Sequence, residues 1–120
     1  MEFKIHTLHG IQIAELLADT IAIRETQDAL DMMANVNYNG CGKIIIREQH
    51  LVPEFFDLKS RMAGEILQKF STYRVQLAIV GDFSKYQSKS LKDFLFESNK
   101  IGHILFVDSL EAALNRLAKL

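Results

Sequence analysis

"KIIIREQHLVPEFFDLKSRMAGEILQKFSTYRVQLAIVG", residues 43–81, decides the fold. Ile44, Ile45 and Ile46 run without the alternation of a strand that has one wet face, so they read as a strand covered on both sides. Met62, Ala63, Ile66, Leu67 and Phe70 then recur at helical spacing. "VQLAIV", residues 75–80, is a second covered strand, and Gly81 ends it at a turn. Two such strands with a helix between them run parallel through a right-handed crossover.

Working outward, Phe3, Ile5, Ile11 and Ile13 alternate with polar residues around His9-Gly10, a pair suited to a tight turn with positive φ. This predicts strands over 3–8 and 11–17 joined as a hairpin. In "TQDALDMMANV", Thr26 is the expected cap, Asp28 complements the positive end of the helix dipole, and Ala29, Leu30, Met33 and Val36 share one face. "NYNGCG" is loop. Downstream, Leu91, Phe94 and Leu95 predict a third helix opened by Ser88 or Ser90. "HILFV" is a further strand, and Asp108 with Glu111 resembles a capping box for a last helix carrying Leu110, Ala113, Leu114 and Leu117. The stripe on that helix is wide enough to predict packing on its own sheet rather than on a membrane.

The order is ββαβαβαβα. It predicts a single α/β domain over 1–120, with a mixed, mostly parallel five-stranded sheet, an N-terminal hairpin and four helices. The 120 residues are 48% hydrophobic and 24% charged, a globular balance that needs no disulfide or metal. Fourteen basic and fifteen acidic side chains leave a formal charge of -1, which gives no field to attract nucleic acid or an anionic membrane. The lone Cys41 cannot close an internal disulfide, and "MEFKIHTLHG" lacks the pattern of a signal peptide, so a reducing cytosol is the expected location. No apolar stretch approaches the ~20 residues of a membrane span.

Open parallel sheets bind ligands beyond the carboxyl ends of their strands, where Asp19, Glu48, Asp82 and Asp108 fall. Asp108, Asp82 and Glu48 have simpler roles in a cap, a turn and before a loop, so no metal site is expected. His6, His9, His50 and His103 show no metal-binding spacing and read as surface or turn residues. Cys41, between two glycines, reads as a loop cysteine. With no phosphate-cradling glycine motif either, no catalytic residue and no cofactor are assigned. The alternative is a small enzyme or small-molecule-binding protein using the carboxyl edge, with Glu48, Asp82 and Ser84 near a pocket.

Ser60 stands at or just before the first turn of the helix that carries Met62 and Ala63, where free N–H groups favour negative charge. Lys59 and Arg61 would offset a phosphate on it, and Asp57 and Glu65 would oppose one. The plainer reading makes Ser60 or Asp57 the N-cap. Pro53, Phe55 and Phe56 lie in the same long connection, which suits a short helical turn begun by the proline. Two phenylalanines there commonly pack under the loop, and one that stayed exposed would anchor a partner.

With this order of elements the chain resembles the STAS domain of sulfate transporters and anti-sigma-factor antagonists. The likeness spans nearly the whole chain and is clearest in "KIIIREQHLVPEFFDLKS", "YRVQLAIVGDFS" and "HILFVDSLEAALNRL". More narrowly, "DFSKYQSKSLKDFLFESNK" resembles small bacterial proteins grouped as a domain of unknown function with STAS-like features. In the antagonists a serine at the start of the helix after the third strand is phosphorylated by a partner kinase. Ser60 is its counterpart by position, although the family's compact Asp-Ser-Ser/Thr-Gly start is spread here into Asp57-Leu58-Lys59-Ser60, with Ala63-Gly64 following. The resemblance implies a non-catalytic regulatory module whose 50–64 loop and helix start bind a protein, such as a kinase or anti-sigma-like regulator. Phe55, Phe56, Asp57, Lys59, Arg61 and Met62 are the candidate contacts, and phosphorylation of Ser60 is the candidate switch. A homo-oligomer built through the apolar loop or the last helix is a further reading.

Overall fold

A computed structural model describes residues 1–119. Its strands are β1 (Glu2–Leu8), β2 (Ile11–Leu17), β3 (Lys43–Arg47), β4 (Gln76–Val80) and β5 (Ile104–Val107). Its helices are α1 (Thr26–Tyr38), α2 (Met62–Tyr73), α3 (Lys89–Ile101) and α4 (Leu110–Leu117). The expected order holds. β1 and β2 pair antiparallel through a two-residue turn in which both His9 and Gly10 have positive φ, and β2 to β5 run parallel.

The strands lie side by side in chain order, β1-β2-β3-β4-β5. Each right-handed crossover therefore steps the same way and sets its helix on the same face. Accordingly α1, α2 and α3 pack together on Ala14, Ile44, Ile46, Leu77, Ile79, Ile104 and Phe106. The alternate residues Ile13, Ile45, Ala78, Leu105 and Val107 point the other way, onto Ala113 and Leu117 of α4. The last helix packs on its own sheet through Ala113 and Leu117, as its stripe predicts.

Caps depart from expectation by single residues. Thr26 does not cap α1 but begins it; Asp28 Oδ2 accepts from the backbone N–H groups of Arg24 (2.9 Å) and Glu25 (3.3 Å). Ser88 caps α3. Ser109, not Asp108, caps α4, its Oγ accepting from the N–H of Ala112 at 3.0 Å.

The two edges of the sheet differ. Along β5, the Asn99 side chain accepts from the N–H of Phe106 (2.6 Å) and donates to its carbonyl (3.2 Å), while Ser98 Oγ donates to the carbonyl of Ile104 (2.6 Å). Side chains of α3 thus occupy the place of a neighbouring strand. β1 ends the sheet with nothing beside it among the described residues.

Candidate functional site

The connection from β3 to α2 is built from three short 3₁₀ turns, over Glu48–His50, Pro53–Phe56 and Leu58–Ser60. Pro53 opens the second, as its fixed φ favours. The connection is fastened to the segment after β2. Ala22 and Ile23 donate to the carbonyl of His50 (2.8 and 3.0 Å), and Val52 donates to Ile23 (3.0 Å). The His50 ring lies between them, accepting the N–H of Arg47 at Nδ1 (2.9 Å), so its Nε2 carries the proton that bonds the carbonyl of Ala18 (2.9 Å). His50 is fully buried, which corrects its reading as a surface histidine; two main-chain partners replace the water it gives up.

Ser60 is exposed, but its hydroxyl is engaged. Oγ lies 2.6 Å from the carbonyl of Glu54 and 2.7 Å from that of Asp57, and it accepts from the N–H of Met62 at 3.2 Å. One hydroxyl proton serves those two carbonyls while the oxygen satisfies the first N–H of α2. Asp57 caps the turn before, accepting from the N–H of Lys59 at 3.1 Å. Between Ser60 and the helix, Arg61 adopts a left-handed conformation, φ +65°. A phosphate on Ser60 would remove the shared proton and set its oxygens against two carbonyls, so modification and unfastening of this turn would go together.

The apolar contacts expected from this region are redistributed. Phe55 is 1% exposed and Met62 is 8% exposed, which corrects their reading as surface anchors: both fill the core under α2. Phe56 is half-buried and stacks on Tyr86, with ring centres 4.8 Å apart. Lys59 and Arg61 are exposed. What does open to solvent is a groove of about 640 Å³ beside the first half of α2. Leu58 and Phe94 give it an apolar lining, and Arg61, Gly64, Glu65 and Lys69 line its α2 side. Thr26 donates to Glu65 across it at 3.2 Å.

At the carboxyl edge, Glu48, Asp82 and Ser84 do not converge on a common ligand. Glu48 accepts from the Tyr86 hydroxyl (2.5 Å) and pairs with Lys85 (2.7 Å). Burial, the hydrogen bond to Glu48 and its charge push the Tyr86 hydroxyl well above its usual range. Asp82 instead accepts from the hydroxyl and N–H of Ser84 (2.5 and 3.1 Å), and these bonds, helped by Lys85, hold its carboxyl low. Phe83 packs edge-on against Phe106 (5.3 Å), so rings fill the space between the two loops. Gly81 has to be glycine here, because a Cβ would meet Glu48 at 2.8 Å. Cys41 is 2% exposed, its thiol 3.1 Å from the carbonyl of Gln12, so it is a packed thiol rather than an open one.

A cluster that sequence reasoning missed lies on the face not covered by the first three helices. Glu15 of β2 is 5% exposed; its carboxylate meets His6 Nε2 and Arg47 Nη1, each at 2.8 Å. Burial pushes the carboxyl up, but the bonds and charges of His6 and Arg47 outweigh it and hold the group below its ordinary 4.5. The signal was present in "IQIAELL", where an acid stands in phase with the buried Ile13. Among the described residues no group of histidine, cysteine and acidic side chains could hold a metal ion. No helix there is long and apolar enough to cross a membrane.

Residues 8–117 match the family described as a domain of unknown function, DUF4180. Neither curated proteins nor solved structures match the chain.

Proposed function

The chain belongs to this DUF4180 family, and from that premise we propose that it is a non-catalytic interaction module that captures a protein partner in the groove between α2 and Phe94. The observation that carries the reading is the groove itself, an apolar lining from Leu58 and Phe94 beside alternating charges of Arg61, Glu65 and Lys69. Apolar contact there supplies affinity, and the charged side supplies selection. The packing of Phe56, Phe83 and Tyr86 at the carboxyl edge favours this surface over a small-molecule site at Glu48, Asp82 and Ser84.

Ser60 is the regulatory position in this proposal. Its phosphorylation by a kinase would release the turn that presents Leu58 and Arg61 and add about two negative charges at the mouth of the groove. The STAS-like relationship belongs to the same proposal, supported by the order of elements and by the serine ahead of α2. So does a bacterial, cytosolic setting, in keeping with a lone, packed thiol.

The test starts with affinity purification from native cells and phosphosite mapping, then titrates the recovered partner against three variants. Gly64 is exposed and a Cβ there meets nothing within 4 Å, so Gly64→Trp obstructs the groove without straining the backbone. Binding should be lost in Gly64→Trp and kept in Gly64→Ala. Ser60→Ala and Ser60→Asp both lose the hydroxyl, so any excess weakening in Ser60→Asp isolates the charge. A folded Gly64→Trp protein that binds as well as the parent sinks the reading.

A further inference from the structure

The geometry points to a second surface, which shares no residue with the groove: we infer that the free edge of β1 is where two copies of this chain join, as one continuous ten-stranded sheet. A two-residue hairpin makes Leu8 and Ile11 a hydrogen-bonded pair. Counting back by twos, His6, Lys4 and Glu2 turn their N–H and C=O groups toward β2. Phe3, Ile5 and Thr7 turn theirs outward, where nothing receives them among the described residues.

The opposite edge shows that an open row of this kind is not general to the molecule. On β5 the outward carbonyls of Ile104 and Phe106 and the N–H of Phe106 are taken up by Ser98 and Asn99. An unpaired edge templates pairing with another chain. Here only one edge is available, so pairing of β1 with β1 consumes it and assembly stops at two. A heterologous contact would need the closed edge, which makes a two-fold pair the self-limiting solution.

The residues of β1 select the register. Antiparallel pairing with Phe3 opposite Phe3 places Glu2 opposite Lys4 of the second copy, twice by symmetry. Both side chains are exposed and neither takes part in an ion pair among the described residues. On the other face the same register sets Met1 opposite Ile5, which are 59% and 47% exposed, above a groove of about 430 Å³ shared with Val36 of α1. Shifting by one hydrogen-bonding step sets Lys4 against Lys4 in one direction and Glu2 against Glu2 in the other. Two steps set Lys4 against His6, so only the first register is attractive throughout.

Sedimentation velocity from micromolar to several hundred micromolar protein tests this, with far-UV circular dichroism to confirm folding. The parent should be a dimer in reversible exchange with monomer. Ile5→Pro removes an outward N–H and no bond to β2, so it should leave a folded monomer. Lys4→Glu, at an exposed position opposite Glu15 in the hairpin and so checked for folding by the same circular dichroism, should raise the dissociation constant about tenfold by turning two attractive pairs repulsive. Glu2→Lys added to Lys4→Glu should restore it. A parent that stays monomeric overturns the inference, and so does a dimer indifferent to Ile5→Pro or to Lys4→Glu. Failure of the double variant to recover overturns the register. A monomer whose β1 pairs with some other chain assigns the edge to a different occupant and equally overturns it.

Discussion

One face of the sheet carries three helices and is apolar across its width; the other carries one helix, and beyond it an acid, an imidazole and a guanidinium take the place of a core. The difference follows from connectivity. Crossovers that all step the same way leave the second face to whatever the chain has left after β5, and eight helical residues pack mainly over β3, β4 and β5. Where cover ends, Glu15 is shielded from water by its own neighbours and must be satisfied by them. The deep face is held by area removed from water, the shallow one in part by charge pairing.

The sharpest way to test that contrast is to truncate each face in turn. Leu77→Ala, under α2 and α3, should cost about 2–5 kcal/mol in urea denaturation. Leu17→Ala, 42% exposed at the end of β2, should cost no more than about 0.5 kcal/mol. Similar losses at the two positions would erase the distinction.

Glu15→Ala should come next, at about 1–3 kcal/mol, because His6 and the partly exposed Arg47 lose the carboxylate they share. The same site fixes a pH dependence. The folded carboxyl sits below 4.5, so its stabilisation is complete above that pH and disappears as pH falls through the folded value. Urea midpoints of the parent should therefore drop between neutral pH and pH 3 more steeply than those of Glu15→Leu. Parallel curves would detach Glu15 from acid stability.

Two smaller effects concern the turn and the groove on the deep face. Ser60→Ala should cost about 1 kcal/mol, since it removes an acceptor for the N–H of Met62 and a donor to loop carbonyls. A neutral result would mean that water replaces the hydroxyl and the turn is not fastened by it. Gly64→Ala should gain roughly 0.5–1 kcal/mol, as a helical glycine with free space around it is replaced by the best helix former. Calorimetry would detect both.

Element order was legible because its signals are long. Three isoleucines in a row, and stripes such as Met62, Ala63, Ile66 and Phe70, persist whatever surrounds them. Caps were less so: Asp108 and Ser109 are both good caps, and the backbone of one residue selects between them. The candidate surface was legible as a region but not residue by residue. Phe55 and Phe56 are identical neighbours, and only the path of a 3₁₀ turn sends the first ring inward and leaves the second against Tyr86. His50 and Glu15 escaped for a related reason. Their partners are a main-chain amide and carbonyl in one case and side chains from two other strands in the other, and neither leaves a spacing in the sequence.

Strand order has one more effect. In doubly wound sheets the loops part company where the winding reverses, and that cleft is a ready berth for a coenzyme. Here the parallel strands wind in one sense from β2 to β5, and the loops after β3 and β4 lean together closely enough for Phe56 to stack on Tyr86. A chain wound this way inherits no cleft of that kind from its topology, and the groove beside α2 is carved between helices instead.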